Sequence, residues 1–214
     1  MWRSVMKLSV CLFSLGVVFP LQAVSLPVEN GSFESPAIDL NENPFGAWPF
    51  IDGWTETDLD QLGSQNTGVF VNTPADSNDH IANADGVQLA FLGSATGNGL
   101  SQALESVYQA GASYRLTVGV GISQMFAPSM SEPVDTLELA LYYMDGNEPV
   151  DIASTVVLAT ELSSTELEDY SVELSSVGVD ANWVGHAIGV AIRSVGEPNG
   201  FWDLDKIRLV ATSM

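Results

Sequence analysis

The stretch Phe201-Trp202-Asp203-Leu204-Asp205-Lys206-Ile207-Arg208-Leu209 lies close to the C-terminus and decides the fold. Its apolar residues alternate with polar ones, which is the pattern of a strand with one buried face. A second motif, Asn30-Gly31-Ser32-Phe33-Glu34, lies near the start of the chain. We interpret the two motifs as the last and first strands of one sheet. Each carries an acid where an apolar residue would be easier to bury.

Alternation of the same kind recurs between the two motifs, and helical periodicity is nearly absent. It predicts half-buried strands at six runs, namely residues 114–120, 137–143, 188–192, 88–92, 151–158 and 169–174. Turn sequences such as Asp145-Gly146-Asn147 separate these runs. A helical turn is expected only near Leu104–Gln109. The pattern predicts an all-β chain folded as an antiparallel β-sandwich or jelly roll.

The first residues have the features of a secretory signal peptide. A basic start is followed by an apolar run at residues 8–19, and Ala23 is the expected cleavage position. We predict a leader at residues 1–24 and a single β-sandwich domain at residues 25–214, in a product that is secreted. The sole cysteine, Cys11, lies in this leader, so disulfides are not expected. The rest of the chain has no apolar run of membrane length, so membrane insertion is not expected.

The charge balance is strongly acidic. The chain has 6 Lys and Arg residues against 27 Asp and Glu residues, a net charge of −21. Removal of the predicted leader leaves four bases and 27 acids, a net charge of −23. Such a surface repels nucleic acid and anionic lipid, so neither is an expected partner. It is compatible with plain solubility and with a calcium-containing exterior, where counter-ions screen self-repulsion.

Six short motifs follow one another in a recognisable order: residues 30–34, 51–54, 85–92, 100–104, 111–118 and 205–209. This order resembles that of secreted bacterial proteins of the PEP-CTERM type, whose domain is similar to galactose-binding-like jelly rolls. Several carbohydrate-binding modules share that architecture. Proteins of that type usually end in a sorting tail with a Pro-Glu-Pro signal. The tail is missing from this sequence, which favours simple release.

Strand parity places the carboxylate of Asp205 on the same face as Ile207 and Leu209, and so in the core. An unpaired buried carboxylate costs several kcal/mol, and few bases are available to pair with it. A hard cation held by oxygens, such as Ca²⁺, is one solution, and a protonated or amide-capped acid is the other. In the resembling carbohydrate-binding modules a structural calcium joins acids of the two end motifs, which implies Glu34 and Asp205 here. Asp203 has the same parity and is a secondary candidate.

A sugar-binding surface needs exposed aromatic side chains beside short polar groups. Four aromatic residues near loops or at outward positions are candidates for such contacts: Trp48, Phe126, Tyr142 and Trp183. Ordinary packing explains each of them at least as well. Trp54, in a Gly-Trp motif, is assigned to the core.

Catalysis finds little support in the sequence. Beyond the leader there is no cysteine nucleophile and no Gly-x-Ser-x-Gly elbow, and His80 and His186 lack metal-ligand spacing. With 27 acids, any pair of carboxylates could be proposed as a glycosidase pair. We therefore expect a secreted non-catalytic module that binds extracellular or cell-wall polysaccharide and holds a structural calcium. The alternatives are an acidic calcium-binding matrix protein and a polysaccharide-active hydrolase. The oligomeric state stays open.

Overall fold

The computed structural model of the chain describes residues 22–57, 66–124, 135–197 and 200–213. Within these ranges there are twelve strands and one short 3₁₀ turn, Ala159–Glu161. The strands are β1 Gln22–Leu26, β2 Ala47–Trp48, β3 Thr55–Thr57, β4 Thr67–Val71, β5 Gln88–Gly93, β6 Gly99–Val107, β7 Ser113–Ile122, β8 Thr136–Asp145, β9 Glu148–Leu158, β10 Glu168–Leu174, β11 Ala187–Val195 and β12 Phe201–Ser213.

The strands form two antiparallel sheets that pack face to face. Sheet A has the order β10-β7-β12-β5-β4-β2, and β1 pairs with the C-terminal part of β12. Sheet B has the order β3-β6-β11-β8-β9. The predicted fold class, an antiparallel β-sandwich of jelly-roll type, is confirmed. The long strand β12 is central to sheet A, because it pairs with β7 on one side and with both β5 and β1 on the other.

The core between the sheets is built from the apolar faces that alternation predicted. All six predicted runs are strands, and β7 and β8 supply fully buried residues from opposite sheets: Leu116, Val118, Val120, Leu137, Leu139 and Leu141. The helical turn expected near Leu104–Gln109 is wrong, because Gly99–Val107 form β6. This strand lies between β3 and β11, where the sheet ladder satisfies its backbone.

The motif Asn30–Glu34 is a turn and not the first strand, which corrects the sequence interpretation. Asn30 and Phe33 have positive φ angles of 48° and 53°, outside the strand region. The motif nevertheless lies against β12, since the Ile207 N–H donates to the Gly31 carbonyl at 2.8 Å. Only glycine fits there, because a Cβ on Gly31 would lie 2.6 Å from the Ile207 carbonyl oxygen.

A β-bulge in β12 reverses the expected orientation of its acids. The register against β7 shifts between Asp205 and Arg208, and Lys206 has a φ of 55°. Four apolar side chains of β12 therefore lie in the core although their spacing breaks period two: Trp202, Leu204, Ile207 and Leu209. Asp203 and Asp205 point to the opposite, outer face of sheet A. The parity argument that placed Asp205 in the core is wrong, because the bulge interrupts the alternation.

The leader prediction falls mostly outside the described residues. Gln22 and Ala23, on the leader side of the expected cleavage position, pair in β1 with the end of β12. The leader and the domain limits at residues 25–214 stay predictions. No helix in the described ranges is both long enough and apolar enough to cross a membrane.

Candidate active site

One row of residues crosses the outer face of sheet A at the level of Asp203. The sheet register aligns Gly68 of β4 with Phe91 of β5, and Phe91 with Asp203 of β12. It then aligns Asp203 with Gly121 of β7. The ring of Phe91 and the carboxyl group of Asp203 are therefore neighbours in a row that ends in a glycine on each side. The Phe91 ring fills the space of a side chain at Gly68, and Leu167 and the Ser163 carbonyl lie over Gly121.

An open cavity of about 350 Å³ lies over this row. Its lining residues in the described part of the chain are Phe70, Phe91, Ser123, Phe201 and Asp203. The rings of Phe91 and Phe201 meet edge to face, with centroids 5.6 Å apart and planes at 88°. Three aromatic rings thus surround a single ionisable side chain, which is the composition of a pocket for a small, largely apolar molecule.

The carboxyl group of Asp203 has no compensating partner among the described residues. Its residue is 4% exposed, and it makes no hydrogen bond or ion pair with any residue in the described ranges. Burial raises the pKa of Asp203 from 3.8 to about 7, because the apolar surroundings disfavour the charged form. A carboxylic acid with a pKa close to neutrality can hold a proton and give it up, as a general acid must.

Asp205, the next acid on the same face, has different surroundings. It is fully buried, but its Oδ2 accepts the Asp85 N–H at 2.6 Å and its Oδ1 accepts the Lys206 N–H at 2.7 Å. Burial raises the pKa of Asp205 to about 7, and these two hydrogen bonds oppose the rise. The nearby charges of Asp85 and Glu34 add to it. Asp205 is therefore engaged in holding the backbone and is not directed at the cavity.

Glu34 and Asp205, the two predicted metal ligands, hold the same short backbone segment. Glu34 Oε1 accepts the N–H groups of Val87 and Gln88, both at 2.8 Å, next to the Asp85 N–H that Asp205 binds. The described ranges contain no group of three or more His, Cys, Asp or Glu side chains arranged to hold a metal. A cation here would be held by two carboxylates together with other oxygens. The calcium site stays a prediction.

The predicted sugar-contacting residues do not form one surface. Trp48 lies at the edge of sheet A and is 38% exposed, whereas Tyr142 lies on the outer face of sheet B and is 7% exposed. Trp183 lies in a turn and packs partly buried against the core, and Phe126 lies outside the described residues. Trp54 is buried, as expected. The described members of the set are dispersed over separate parts of the sandwich.

A larger cavity, of about 510 Å³, lies on the outer face of sheet B and includes Tyr142. Its charged lining residues, Arg193 and Glu138, are paired at 3.3 Å, and the Arg193 guanidinium also contacts Asp151 at 2.7 and 2.9 Å. An acid that is already paired with a guanidinium is poorly placed to donate a proton. The smaller aromatic cavity, with its unpartnered acid, is the better candidate active site.

The aromatic cavity was missed in the sequence, although one signal was present. Strand β5 is apolar on both faces, because Leu89 and Phe91 alternate with the core residues Ala90 and Leu92. A strand that is apolar on both faces indicates that its outer face is covered or lines a site. Combined with an acid on a neighbouring strand, this pattern would have pointed to the outer face of sheet A.

The fold and the cavity together define a class: β-sandwich proteins with an aromatic cavity on the outer face of one sheet. A family model described as HpiC1 cyclase, HpiC1-like, matches residues 24–210. The chain belongs to this HpiC1-like family. None of the curated proteins matches the chain.

Solved structures of cyclases share the fold. A Stig cyclase, Fisc, from Fischerella sp. TAU in complex with (3Z)-3-(1-methyl-2-pyrrolidinylidene)-3H-indole is 21% identical, with a TM-score of 0.66 over 89% of this chain and 98% of that chain. A cyclase from Fischerella sp. TAU in complex with 4-(1H-indol-3-yl)butan-2-one is 20% identical, with a TM-score of 0.65 over 88% and 97% of the two chains.

Membership of a cyclase family overturns the function expected from the sequence. The prediction of a non-catalytic module that binds polysaccharide is wrong, as are its two alternatives, because the family is one of cyclases. Polysaccharide as the partner is wrong for the same reason. The error came from arguing function from a fold shared by many activities. Secretion and the resemblance to PEP-CTERM-type proteins stay predictions.

Proposed function

We propose that this protein is a cyclase that closes rings in small, apolar, indole-bearing molecules, with Asp203 as its general acid. The observation that carries the proposal is the carboxyl group of Asp203, which has no partner among the described residues and is 4% exposed in a cavity lined by three phenylalanine rings. Membership of the HpiC1-like family supports a cyclisation. The indole compounds bound to similar cyclases support the substrate class.

The acid would start the reaction by protonating an alkene carbon of the substrate. The O–H bond of Asp203 breaks, a C–H bond forms, and the other alkene carbon becomes a carbocation. A second π bond of the substrate attacks this carbon and closes the ring, which moves the positive charge onto the attacking group. Loss of a proton from that group to the Asp203 carboxylate restores the acid. Substrate and product are then isomers.

The phenylalanine rings suit this chemistry. The negative face of an aromatic ring attracts a cation by roughly 0.5–2 kcal/mol, so Phe70, Phe91 and Phe201 would lower the energy of the carbocation. A substrate that fills the space between these rings would displace water, which would otherwise capture the cation as an alcohol. The same surface keeps Asp203 protonated near neutral pH. The aromatic walls therefore serve both the acid and the cation.

The experiment uses an indole with a tethered alkene in D₂O and follows the product by mass spectrometry. Protonation by a solvent-exchanged acid adds one deuterium to the product. Asp203→Asn should slow cyclisation by about 10²–10⁴-fold, the usual contribution of a general acid. The control is Glu173→Gln, an exposed acid on β10 of the same sheet, which should react at the wild-type rate. Wild-type turnover by Asp203→Asn, or a product without deuterium, would refute the role of this acid.

We also propose that Ca²⁺ binds at Glu34 and Asp205. Both carboxylates hold the segment that leads into β5. Each oxygen of Asp205 accepts one N–H and keeps a lone pair, whereas Glu34 Oε1 accepts two N–H groups, so Oε2 is the atom that Glu34 would offer to a cation. A cation there would offset the burial of Asp205. The cation would add a positive charge and metal–oxygen bonds beside the loop that precedes β5.

A further inference from the structure

We propose that Gly68 is a positioning residue for the aromatic cavity. Its missing side chain lets the Phe91 ring lie over β4, away from Asp203, and this keeps open the space above the acid. The inference rests on the proposed function only in treating the cavity at Asp203 as the substrate site. It concerns which residue determines the room available to the substrate.

The evidence is the close approach of the Phe91 ring to the Gly68 backbone. A Cβ on Gly68 would lie 2.6 Å from Phe91 Cζ and 2.7 Å from Cε1, distances that real Cβ atoms essentially never show. The ring therefore occupies the space that a side chain on β4 would need. Gly68 and Asp203 are the register partners of Phe91 on its two sides. A ring that leans onto Gly68 consequently leans away from Asp203.

Phe201 limits where else the ring could go. It precedes Asp203 by two residues on the same face of β12, and its ring meets the Phe91 ring edge to face with centroids 5.6 Å apart. A side chain at position 68 would displace the Phe91 ring from β4, and the open direction is the cavity over Asp203. Even a methyl group at position 68 should therefore reduce the space for the substrate.

Gly68 also permits the close approach of a second group. A Cβ there would overlap the backbone carbonyl oxygen of Trp48, in the two-residue edge strand β2. Gly68→Ala therefore strains two contacts, one with the Phe91 ring and one with β2. Shortening residue 91 relieves only the first, so a combination of variants separates them.

The test measures the affinity of four proteins for 4-(1H-indol-3-yl)butan-2-one by calorimetry: wild type, Gly68→Ala, Phe91→Leu and the double variant. Gly68→Ala should weaken binding about tenfold or more, whereas the double variant should bind within about threefold of Phe91→Leu, because leucine no longer reaches position 68. Gly178→Ala is the matched control. A Cβ at Gly178 meets nothing within 4 Å, so wild-type affinity is expected.

Two results of the binding measurements would overturn the proposal. Gly68→Ala could bind as tightly as the wild type, or the double variant could stay as weak as Gly68→Ala, which would assign the effect to β2. A nuclear Overhauser contact between the Phe91 ring and Gly68 Hα, expected in the wild type, tests the packing without any ligand. Its absence overturns the positioning role even if Asp203 proves to be the acid. If this contact is present and the wild type binds no indole ketone, the proposed substrate class is wrong. The packing of Phe91 against Gly68 is then still confirmed.

Discussion

Replacing Asp203 with asparagine should stabilise the protein above neutral pH while it removes the proposed acid. The two side chains have nearly the same shape, but the amide stays neutral at every pH. Asp203 is 4% exposed and has no hydrogen-bond partner in the described part of the chain, so its ionisation is opposed only by burial. Activity and stability should therefore change in opposite directions.

The magnitude follows from the pKa of Asp203, which burial raises from 3.8 to about 7. Between these values the folded state holds the proton and the unfolded state does not, so stability falls as the pH rises. The favourable contribution is complete below pH 3.8 and is lost above about pH 7. Roughly three pH units at 1.36 kcal/mol each give a loss of about 4 kcal/mol. Asparagine avoids this loss, although its unpartnered amide costs about 1–3 kcal/mol at all pH values.

Urea unfolding of both proteins at pH 5 and pH 8 measures the effect. The free energy of unfolding of Asp203→Asn, relative to wild type, should rise by about 3 kcal/mol between the two pH values. Asp205→Asn is the contrasting variant. Both oxygens of Asp205 accept backbone N–H groups, so an amide would face one of these donors with its own N–H and destabilise the fold. Equal pH dependence in wild type and Asp203→Asn would show that Asp203 titrates normally, and the argument for a buried acid would fail.

Three further predictions test other parts of the structure. EDTA should lower the Tm of the wild type by several degrees, because a ligand bound to the folded state stabilises it, and should leave the Tm of Glu34→Gln nearly unchanged. Equal shifts of Tm in the two proteins would contradict a calcium site at Glu34. Leu204→Ala should cost about 2–5 kcal/mol in urea unfolding, since this side chain is fully buried, and a cost below about 1 kcal/mol would contradict its place in the core. Lys206→Val should destabilise the fold by about 1–3 kcal/mol more than Lys206→Gly, because a φ of 55° disfavours a β-branched residue. Equal losses of unfolding free energy in the two variants would argue against the bulge.

The strands could be predicted because their information is local. In β7 and β8 every second residue is a large apolar one that faces the core, so the order of residues alone shows the buried face. The segment around Asn30 was misjudged because its positive φ angles leave no mark on the alternation of apolar residues.

The candidate site was only partly predictable. The resemblance implied that Glu34 and Asp205 are neighbours. In the structure both carboxylates accept backbone N–H groups of the segment from Asp85 to Gln88. The sequence made Asp203 a secondary metal candidate, and the structure places this residue in an aromatic cavity. The cavity residues come from three strands, β4, β5 and β12, and from Ser123 directly after β7, so no short motif could reveal them.

By itself the sequence determined that this chain is a β-sandwich with an acidic surface, because alternation and charge are properties of residues in order. Tertiary structure alone decided which face each acid of β12 occupies, since a single extra residue at a bulge reverses every orientation beyond it. It also decided that Asp203 lies among phenylalanine rings, with no partner in the part of the chain that the structure describes. The pKa of a carboxyl group depends on its surroundings in space, and those surroundings exist only after the strands pair.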